Sequence, residues 1–510
     1  MDRKAFILSL ASGILLFISF PKYEFQYLIW VAVIPLLCAL KGKSLSEAFF
    51  IGLTTGLVYN IGIIYWVSFV VVHYGYLPLY LGISIMVLLA LYLSLYVSLF
   101  SVALVYFRKR GVREIYAAPL VWTVLEFVKS HFLTGFPWEN LAYSQYDITL
   151  LIQITDVTGI YGITFLIVLV NCIIYDVLIK SRRGTILTEV TSGILVVLLV
   201  MGYGVYRIED VQNLLKDISP VNVSLIQGNI DQSVKWDPQY QSDTLRIYRE
   251  LSLKASKTKP RLIVWPETAA PFYFQNIDEM HRNILDIARH TGSYLLFGSP
   301  SYVSDKERYF FKNSAYMVSP EGDVIGRYDK MHLVPFGEYV PLKRLLFFVE
   351  KLVVGAGDFI TGEDINPVVM DGKKIGILIC YEAIFPAISA EFGKKGSMLL
   401  VNVTNDAWYG RTSAPYQHLT MAAFRAVENR SYLIRAANTG ISAIIDPRGK
   451  ITSRTELFER SVLNGRVKLL QCSTFYGTYG NVFIYICIVL VVFVFLFSLK
   501  RRVRDDRDYL

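Results

Sequence analysis

Apolar runs fill residues 1–208 and return at 479–499, while the 209–475 block between them is polar and carries short strand-like stretches. No single soluble core can absorb such a chain. Its hydrophobic fraction is 54% and its mean hydropathy is +0.42. Crossing a hydrocarbon core takes about 20 mostly apolar residues. Runs of that kind lie near 5–21, 25–40, 46–70, 77–106, 115–131, 160–179, 191–208 and 479–499. They predict a bundle of eight transmembrane helices. Arg3 and Lys4 ahead of the first run give it the look of a signal peptide. No small-residue cleavage site follows, and Pro21-Lys22-Tyr23-Glu24 leads straight into the next run, so a retained helix is expected.

The chain has 51 Lys and Arg against 42 Asp and Glu, a net charge of +9 that at first suggests nucleic acid. The cations, however, sit beside the apolar runs: Arg3-Lys4, Lys41 and Lys43, Arg108-Lys109-Arg110 with Arg113, Lys180 with Arg182-Arg183, and Lys500-Arg501-Arg502. They mark every second loop and both ends, whereas 21–24 and 71–77 are nearly free of net charge. Under the positive-inside rule both termini are cytoplasmic, the 209–475 block is extracytoplasmic, and a nucleic-acid partner is not expected. Few ionisable residues fall within the runs. Glu126 and Lys129, at i,i+3 spacing, fit a structural pair near a helix end better than a transport pathway. That weakens the non-enzymatic rival, a transporter with an outer binding domain. The outer loop at 132–158, with Phe136-Pro137-Trp138-Glu139-Asn140, suits either packing or the lining of a lipid entrance.

Within the polar block, strands are expected at 221–227, 262–265, 294–298, 313–318, 374–380, 398–403 and 442–446. Helical stretches are expected at 239–256, 278–290 and 418–428, and strands alternating with helices predict an α/β domain. The domains are then 1–208, a transmembrane part of seven spans; 209–475, an outer catalytic domain; and 476–510, an eighth helix with a basic tail. Of five cysteines, Cys38, Cys172 and Cys487 lie in apolar runs, where a thiol behaves as a small hydrophobe. Cys380 and Cys472 could pair in an oxidising compartment. A free Cys380 is the preferred reading, because it ends a core strand while Cys472 adjoins the last span. No Cys/His spacing suggests a metal site.

Three motifs in the block combine into one chemistry: Trp265-Pro266-Glu267-Thr268, Asp329-Lys330-Met331-His332 and Ile379-Cys380-Tyr381-Glu382. Each places a functional group at or just after a strand. A carboxylate, an ammonium and a thiol supply a base, an oxyanion clamp and a nucleophile, the parts needed to make and break a thioester. Singly, each has an ordinary explanation: a capping or paired Glu267, a surface Lys330, an inert core Cys380. Together they point to catalysis. The backbone N–H of Tyr381 is a second oxyanion donor, and Glu338 could orient Lys330 or Glu267.

These pieces resemble the nitrilase superfamily, whose signature is a Glu–Lys–Cys triad at comparable strand ends. The resemblance covers 220–470 and includes Gln227-Gly228-Asn229, Pro335-Phe336-Gly337-Glu338, Asn405-Asp406-Ala407-Trp408, Arg425-Ala426-Val427-Glu428-Asn429-Arg430 and Ala437-Asn438-Thr439-Gly440-Ile441-Ser442. With its membrane part the whole chain resembles the apolipoprotein N-acyltransferase family. The resemblance implies an αββα sandwich on the periplasmic side of a bacterial inner membrane, without metal or cofactor. It implies a phospholipid as donor of its sn-1 acyl chain and a diacylglyceryl-cysteine apolipoprotein as acceptor. Glu267 is then the general base, Lys330 stabilises the tetrahedral intermediate and Cys380 carries the acyl group. Glu338, Tyr381 and Glu382 support the triad, and Trp236 matches a position linked with substrate placement. The apolar stretches 345–349 and 352–354, followed by Gly355-Ala356-Gly357, suit a lid with a hinge, or else a core helix. A membrane-anchored amidase with the same triad is the alternative enzyme.

Overall fold

The computed structural model describes residues 1–179, 183–305, 308–340 and 359–500. The apolar stretches 345–349 and 352–354, expected as a lid or else a core helix, fall with the rest of 341–358 outside the described residues, as do 180–182, 306–307 and the tail beyond 500. Two compact units result. One comprises Met1–Val72, Leu77–Arg207 and the segment from Asn481 onward; the other comprises Ile208–Gly480 with His73–Tyr76.

The first unit is helical. Among the described residues, five helices are long and apolar enough to cross a membrane: Leu45–Ile64, Leu79–Lys109, Tyr161–Leu178, Val190–Lys216 and Val482–Leu499. The other expected spans take different forms. The first is a helix of 16 residues, Arg3–Ile18, about 24 Å long at 1.5 Å per residue against a hydrocarbon core of about 30 Å. The 25–40 run is not one helix but a 3-10 turn, Gln26–Trp30, followed by the short helix Ile34–Ala39 with Pro35 in its first turn. Proline cannot donate a backbone hydrogen bond and is favoured in the first turn of a helix, so Pro35 suits the start of a new helix, which apolar composition alone does not reveal. The 115–131 run is the helix Glu114–His131, which contains Pro119 and buries Glu126 and Lys129. The Glu126 carboxylate accepts hydrogen bonds from Trp122 Nε1 at 3.1 Å, the Leu141 N–H at 2.8 Å and Thr164 Oγ1 at 2.7 Å. It ties its own helix to the following loop and to Tyr161–Ile179. That loop is packed inside the unit, with Trp138 buried and its ring 4.8 Å from Trp66.

Among the described residues the second unit contains twelve strands: β1 Val221–Gln227, β2 Leu262–Val264, β3 Tyr294–Asp305, β4 Arg308–Val318, β5 Val324–Asp329, β6 Val368–Met370, β7 Lys373–Ile379, β8 Leu399–Thr404, β9 Tyr432–Ala437, β10 Ala443–Ile445, β11 Ile451–Arg454 and β12 Ser461–Val467. They form two six-stranded sheets, ordered β12-β1-β2-β3-β4-β5 and β11-β10-β9-β8-β7-β6. Each has a parallel centre, β1-β2-β3 in one and β7-β8-β9 in the other, flanked by antiparallel strands. Parallel strands are covered on both faces, which is why Leu262-Ile263-Val264 and β8 are buried along their whole length. The sheets meet at β1 with β9, β4 with β7 and β5 with β6.

Helices close the outer faces. Pro238–Ser256, capped by Asp237, and Glu279–Thr291, capped by Asp278, bury Tyr248, Ile284 and Ile287 against Trp265, Phe297 and Phe274 of the first sheet layer. Trp265 stacks on Tyr248 at 4.9 Å and donates from its ring nitrogen to Ser252 Oγ at 2.9 Å, so its one polar atom is satisfied. Each such side chain contributes about 1.5–3 kcal/mol relative to exposure. Pro386–Lys394 and Ala414–Asn429 belong to the other layer.

Candidate active site

Glu267 follows β2 on a sharp turn. Thr268 has φ 46° and the Gly298 N–H donates to the Pro266 carbonyl at 3.1 Å. A Cβ on Gly298 would lie 2.3 Å from the Thr268 nitrogen, so only glycine lets β3 pass this close. The buried Glu267 carboxylate accepts from Asn313 Nδ2 at 2.8 Å and from the Asn405 N–H at 3.0 Å. Asn313 comes from β4 and Asn405 follows β8, so both sheets hold this one side chain.

Lys330 follows β5 and is 1% exposed. Its Nζ lies 3.0 and 2.9 Å from the two Glu338 carboxylate oxygens and 3.6 Å from Glu267 Oε1. Burial works against the ammonium, but Glu338 and then Glu267 outweigh it and hold the group well above the usual lysine range. Glu338 is fixed in turn by the Val334 N–H at 2.8 Å and by Asn313 Nδ2, which bridges it to Glu267 at 2.8 Å on each side.

Cys380 ends β7 and opens the 3-10 turn Cys380–Ile384. Its φ of 52° lies in the left-handed region, which costs a residue with a side chain about 1–2 kcal/mol. The turn is held from three directions. Glu382, completely buried, accepts from the Ile379 N–H at 2.7 Å, the Met331 N–H at 2.6 Å, the His332 N–H at 3.2 Å and Tyr328 Oη at 2.9 Å. It thereby staples the cysteine turn to the segment carrying Lys330. Burial pushes the Glu382 carboxyl up to about 7 against these donors. The Cys380 carbonyl accepts from His418 Nε2 at 3.2 Å and more weakly from Asn402 Nδ2 at 3.5 Å. The thiol is raised by burial and by Glu267, with Lys330 opposing, so at neutral pH it is protonated and needs a base when it reacts.

Carboxylate, ammonium and thiol therefore meet at the ends of β2, β5 and β7. Tyr381 is buried with its ring 5.2 Å from Phe385 and 5.9 Å from His332. Trp236, in the turn before Pro238–Ser256, is 45% exposed. Cys380 and Cys472 are not joined in a disulfide, which removes that reading.

Several residues of the site carry no mark in the motifs. Asn313 bridges two carboxylates. His418, from helix Ala414–Asn429, lies 3.0 Å from Asp406 and 3.0 Å from Arg435 Nη2, and Arg435 contacts Asp406 at 2.7 Å as well as Asn402. Their partners are 12 to 46 residues away in sequence, so nothing local signals them. Burial, then Arg435, lowers the His418 pKa. The imidazole is accordingly neutral, with Nε2–H donating to Cys380 and Nδ1 turned to Arg435. A lowered folded-state value means this contribution is complete above the usual histidine value of about 6.5 and is lost as pH falls below it. Thermal melts at about pH 7.5 and pH 5.5 are expected to show a steeper acid loss for the native protein than for His418→Gln, whose amide keeps the donor. Equal slopes in the two proteins contradict the assignment.

The chain matches two family models, "Apolipoprotein N-acyltransferase N-terminal domain" over residues 12–173 and "Carbon-nitrogen hydrolase" over 222–475. A protein of Geobacter metallireducens named Apolipoprotein N-acyltransferase is 44% identical over 493 residues, spanning 96% of this chain and 94% of the relative. One of the same name from Methylococcus capsulatus is 32% identical over 487 residues, spanning 94% and 93%. Among solved structures, an amidase from Nesterenkonia sp. aligns with 49% of this chain and 90% of its own, at 21% identity and a TM-score of 0.38.

Proposed function

The chain belongs to the apolipoprotein N-acyltransferase family, and from that premise we propose that it moves the sn-1 acyl chain of a phospholipid onto the α-amino group of a lipoprotein's N-terminal diacylglyceryl-cysteine. The observation that carries this reading is the buried grouping of the Cys380 thiol with Glu267 and the Lys330 ammonium, 3.6 Å apart. Glu267 takes the thiol proton as Cys380 Sγ attacks the ester carbonyl. The oxyanion that forms is met by Lys330 and the Tyr381 N–H. On collapse the ester C–O bond breaks, and the lysophospholipid oxygen leaves with the proton from Glu267, giving an acyl thioester. The acceptor amine then attacks the thioester and passes a proton to Glu267. The C–S bond breaks, and the thiolate of Cys380 recovers that proton. Glu338 and Glu382 keep Lys330 and Cys380 in register, while Trp236 and Tyr381 meet the substrate.

In this reading 1–208 is the transmembrane part, 209–475 the catalytic domain and 476–510 the last helix and cytoplasmic tail. Eight crossings, counting the short helix Arg3–Ile18 and the broken pair Gln26–Trp30 and Ile34–Ala39 as two of them, put both termini in the cytoplasm and the catalytic domain on the periplasmic face of the inner membrane. The basic loops support this orientation. Both substrates are lipids whose reactive bonds lie at headgroup depth, so an active site tethered to the membrane avoids the cost of extracting either.

Incubation with phospholipid alone, followed by mass spectrometry, is expected to give a hydroxylamine-labile acyl adduct on the Cys380 peptide that a diacylglyceryl peptide discharges. An adduct discharged by water only, or ammonia release from small amides, would favour the amidase. No adduct with lipid bound would remove Cys380 as acyl carrier.

A further inference from the structure

Lys235 lies in the turn before helix Pro238–Ser256, and no step above uses it. Its side chain is 2% exposed. Lysine is almost never buried this fully without a charged partner in contact. Yet among the described residues its Nζ makes one hydrogen bond, donated to the backbone carbonyl of Glu267 at 3.1 Å, and no ion pair. An ammonium has three N–H groups, so most of its donor capacity and all of its charge are left for something else. The groups that feel that charge are Glu267 and Cys380.

We infer that Lys235 is a second cation of the acyl-transfer site, a positioning residue that fixes the Glu267 peptide and steadies the Cys380 thiolate when its proton passes to Glu267. This rests on the proposed roles of Glu267 and Cys380. The first half follows from the turn: Thr268 is left-handed with φ 46°, Gly298 presses against it, and the buried Glu267 carbonyl requires a donor. Lys235 is that donor, so the base is held at its backbone by one lysine and faced at its carboxylate by another. The second half follows from charge. Burial pulls the ammonium down to about 8, and Glu267 and Cys380 oppose that fall. The coupling is mutual: a cation stabilised by negative charge at those groups stabilises that charge equally. Cys380 is otherwise faced by Glu267 and Lys330 from the first sheet, by Asp406 and Tyr409 after β8, and by His418 at its carbonyl. Glu267 and Asp406 disfavour the thiolate, and Lys330 is the one charge among those that opposes them, aided by a hydrogen bond from the Thr404 hydroxyl. Lys235 adds a second cation to that balance without occupying the position from which Lys330 meets the oxyanion.

The test is the pH profile of Cys380 alkylation by iodoacetamide, read by peptide mass spectrometry on the full-length protein in detergent. Lys235→Met removes charge and hydrogen bond together; Lys235→Gln keeps an N–H for the Glu267 carbonyl and removes only the charge. Both variants are expected to slow alkylation about tenfold near neutral pH, where the native lysine is charged, with the difference from the native profile shrinking as pH rises above about 8. Acyl-adduct formation from phospholipid should fall in parallel. Profiles that superimpose on the native one overturn the inference. Should Lys235→Met not fold, Lys235→Gln decides it; failure of both to fold would make the lysine purely structural and also overturn it. Native protein that takes no acyl group from phospholipid at all indicts the acyl-transfer reading instead, while native acylation with unshifted variants indicts only Lys235.

Discussion

Replacing Cys380 with alanine is expected to abolish both the acyl adduct and transfer to the diacylglyceryl acceptor, by more than about 10⁴-fold. The other cysteines lie elsewhere in the chain's elements: Cys472 follows β12, ahead of helix Phe475–Tyr479, and Cys38, Cys172 and Cys487 lie in the helical unit. The fold should survive, because the turn is held by Glu382 and by backbone groups, and the sulfur adds only a hydrogen bond with Thr404. Glu382 still accepts its four hydrogen bonds, and the Cys380 carbonyl still receives His418 and Asn402. Alanine bears the left-handed φ of 52° no worse than cysteine does. An inactive variant with a native melting temperature is therefore the expected result. Residual transfer above about 1% of native would mean that the amine attacks the phospholipid ester directly, and the thioester route would fail with it.

Glu267 and Cys380 are legible in sequence because each comes just after a short apolar run, and a charge or thiol after such a run lands at a strand's end; Lys330 instead follows Arg327-Tyr328-Asp329 on β5, a partly exposed strand that no apolar run marks. What holds the grouping in place was not legible. β9 was not expected, since Arg435 interrupts its apolar character. In the fold that guanidinium is completely buried, neutralised by Asp406 at 2.7 Å and bonded to Asn402. Local hydrophobicity cannot foresee a charge whose partner lies 29 residues away. β12 was missed for the opposite reason: it is an edge strand, half exposed, and its Asn464 and Arg466 read as loop. In the helical unit the 25–40 run reads as one continuous apolar stretch, and composition cannot separate a continuous helix from a 3-10 turn and a short helix in tandem. Asn313, His418 and Lys235 share one property. Each acts on a backbone or side-chain atom brought near only by the pairing of distant strands.

Replacing Lys330 with methionine is expected to slow acylation of Cys380 by about 10²–10³-fold, the usual cost of removing one oxyanion donor, and to destabilise the catalytic domain as well. The second effect follows from the surroundings. Glu338 lies within 3.0 Å of the ammonium and Glu267 within 3.6 Å, and Asn313 holds both carboxylates from a single amide. Without the cation two buried carboxylates face one another, a state that costs about 3–5 kcal/mol when a buried pair loses one partner. Loss of activity in the single variant would thus be ambiguous between chemistry and damage. The double variant Lys330→Met/Glu338→Gln separates them. It removes one positive and one negative charge, keeps an amide that can bond Asn313, and should recover most of the lost melting temperature. Its acylation should stay slow, because the cation that meets the oxyanion is still missing. If the double variant regained the native acylation rate together with its stability, Lys330 would be a structural counter-ion for Glu338, and the oxyanion would have to be stabilised by backbone donors alone.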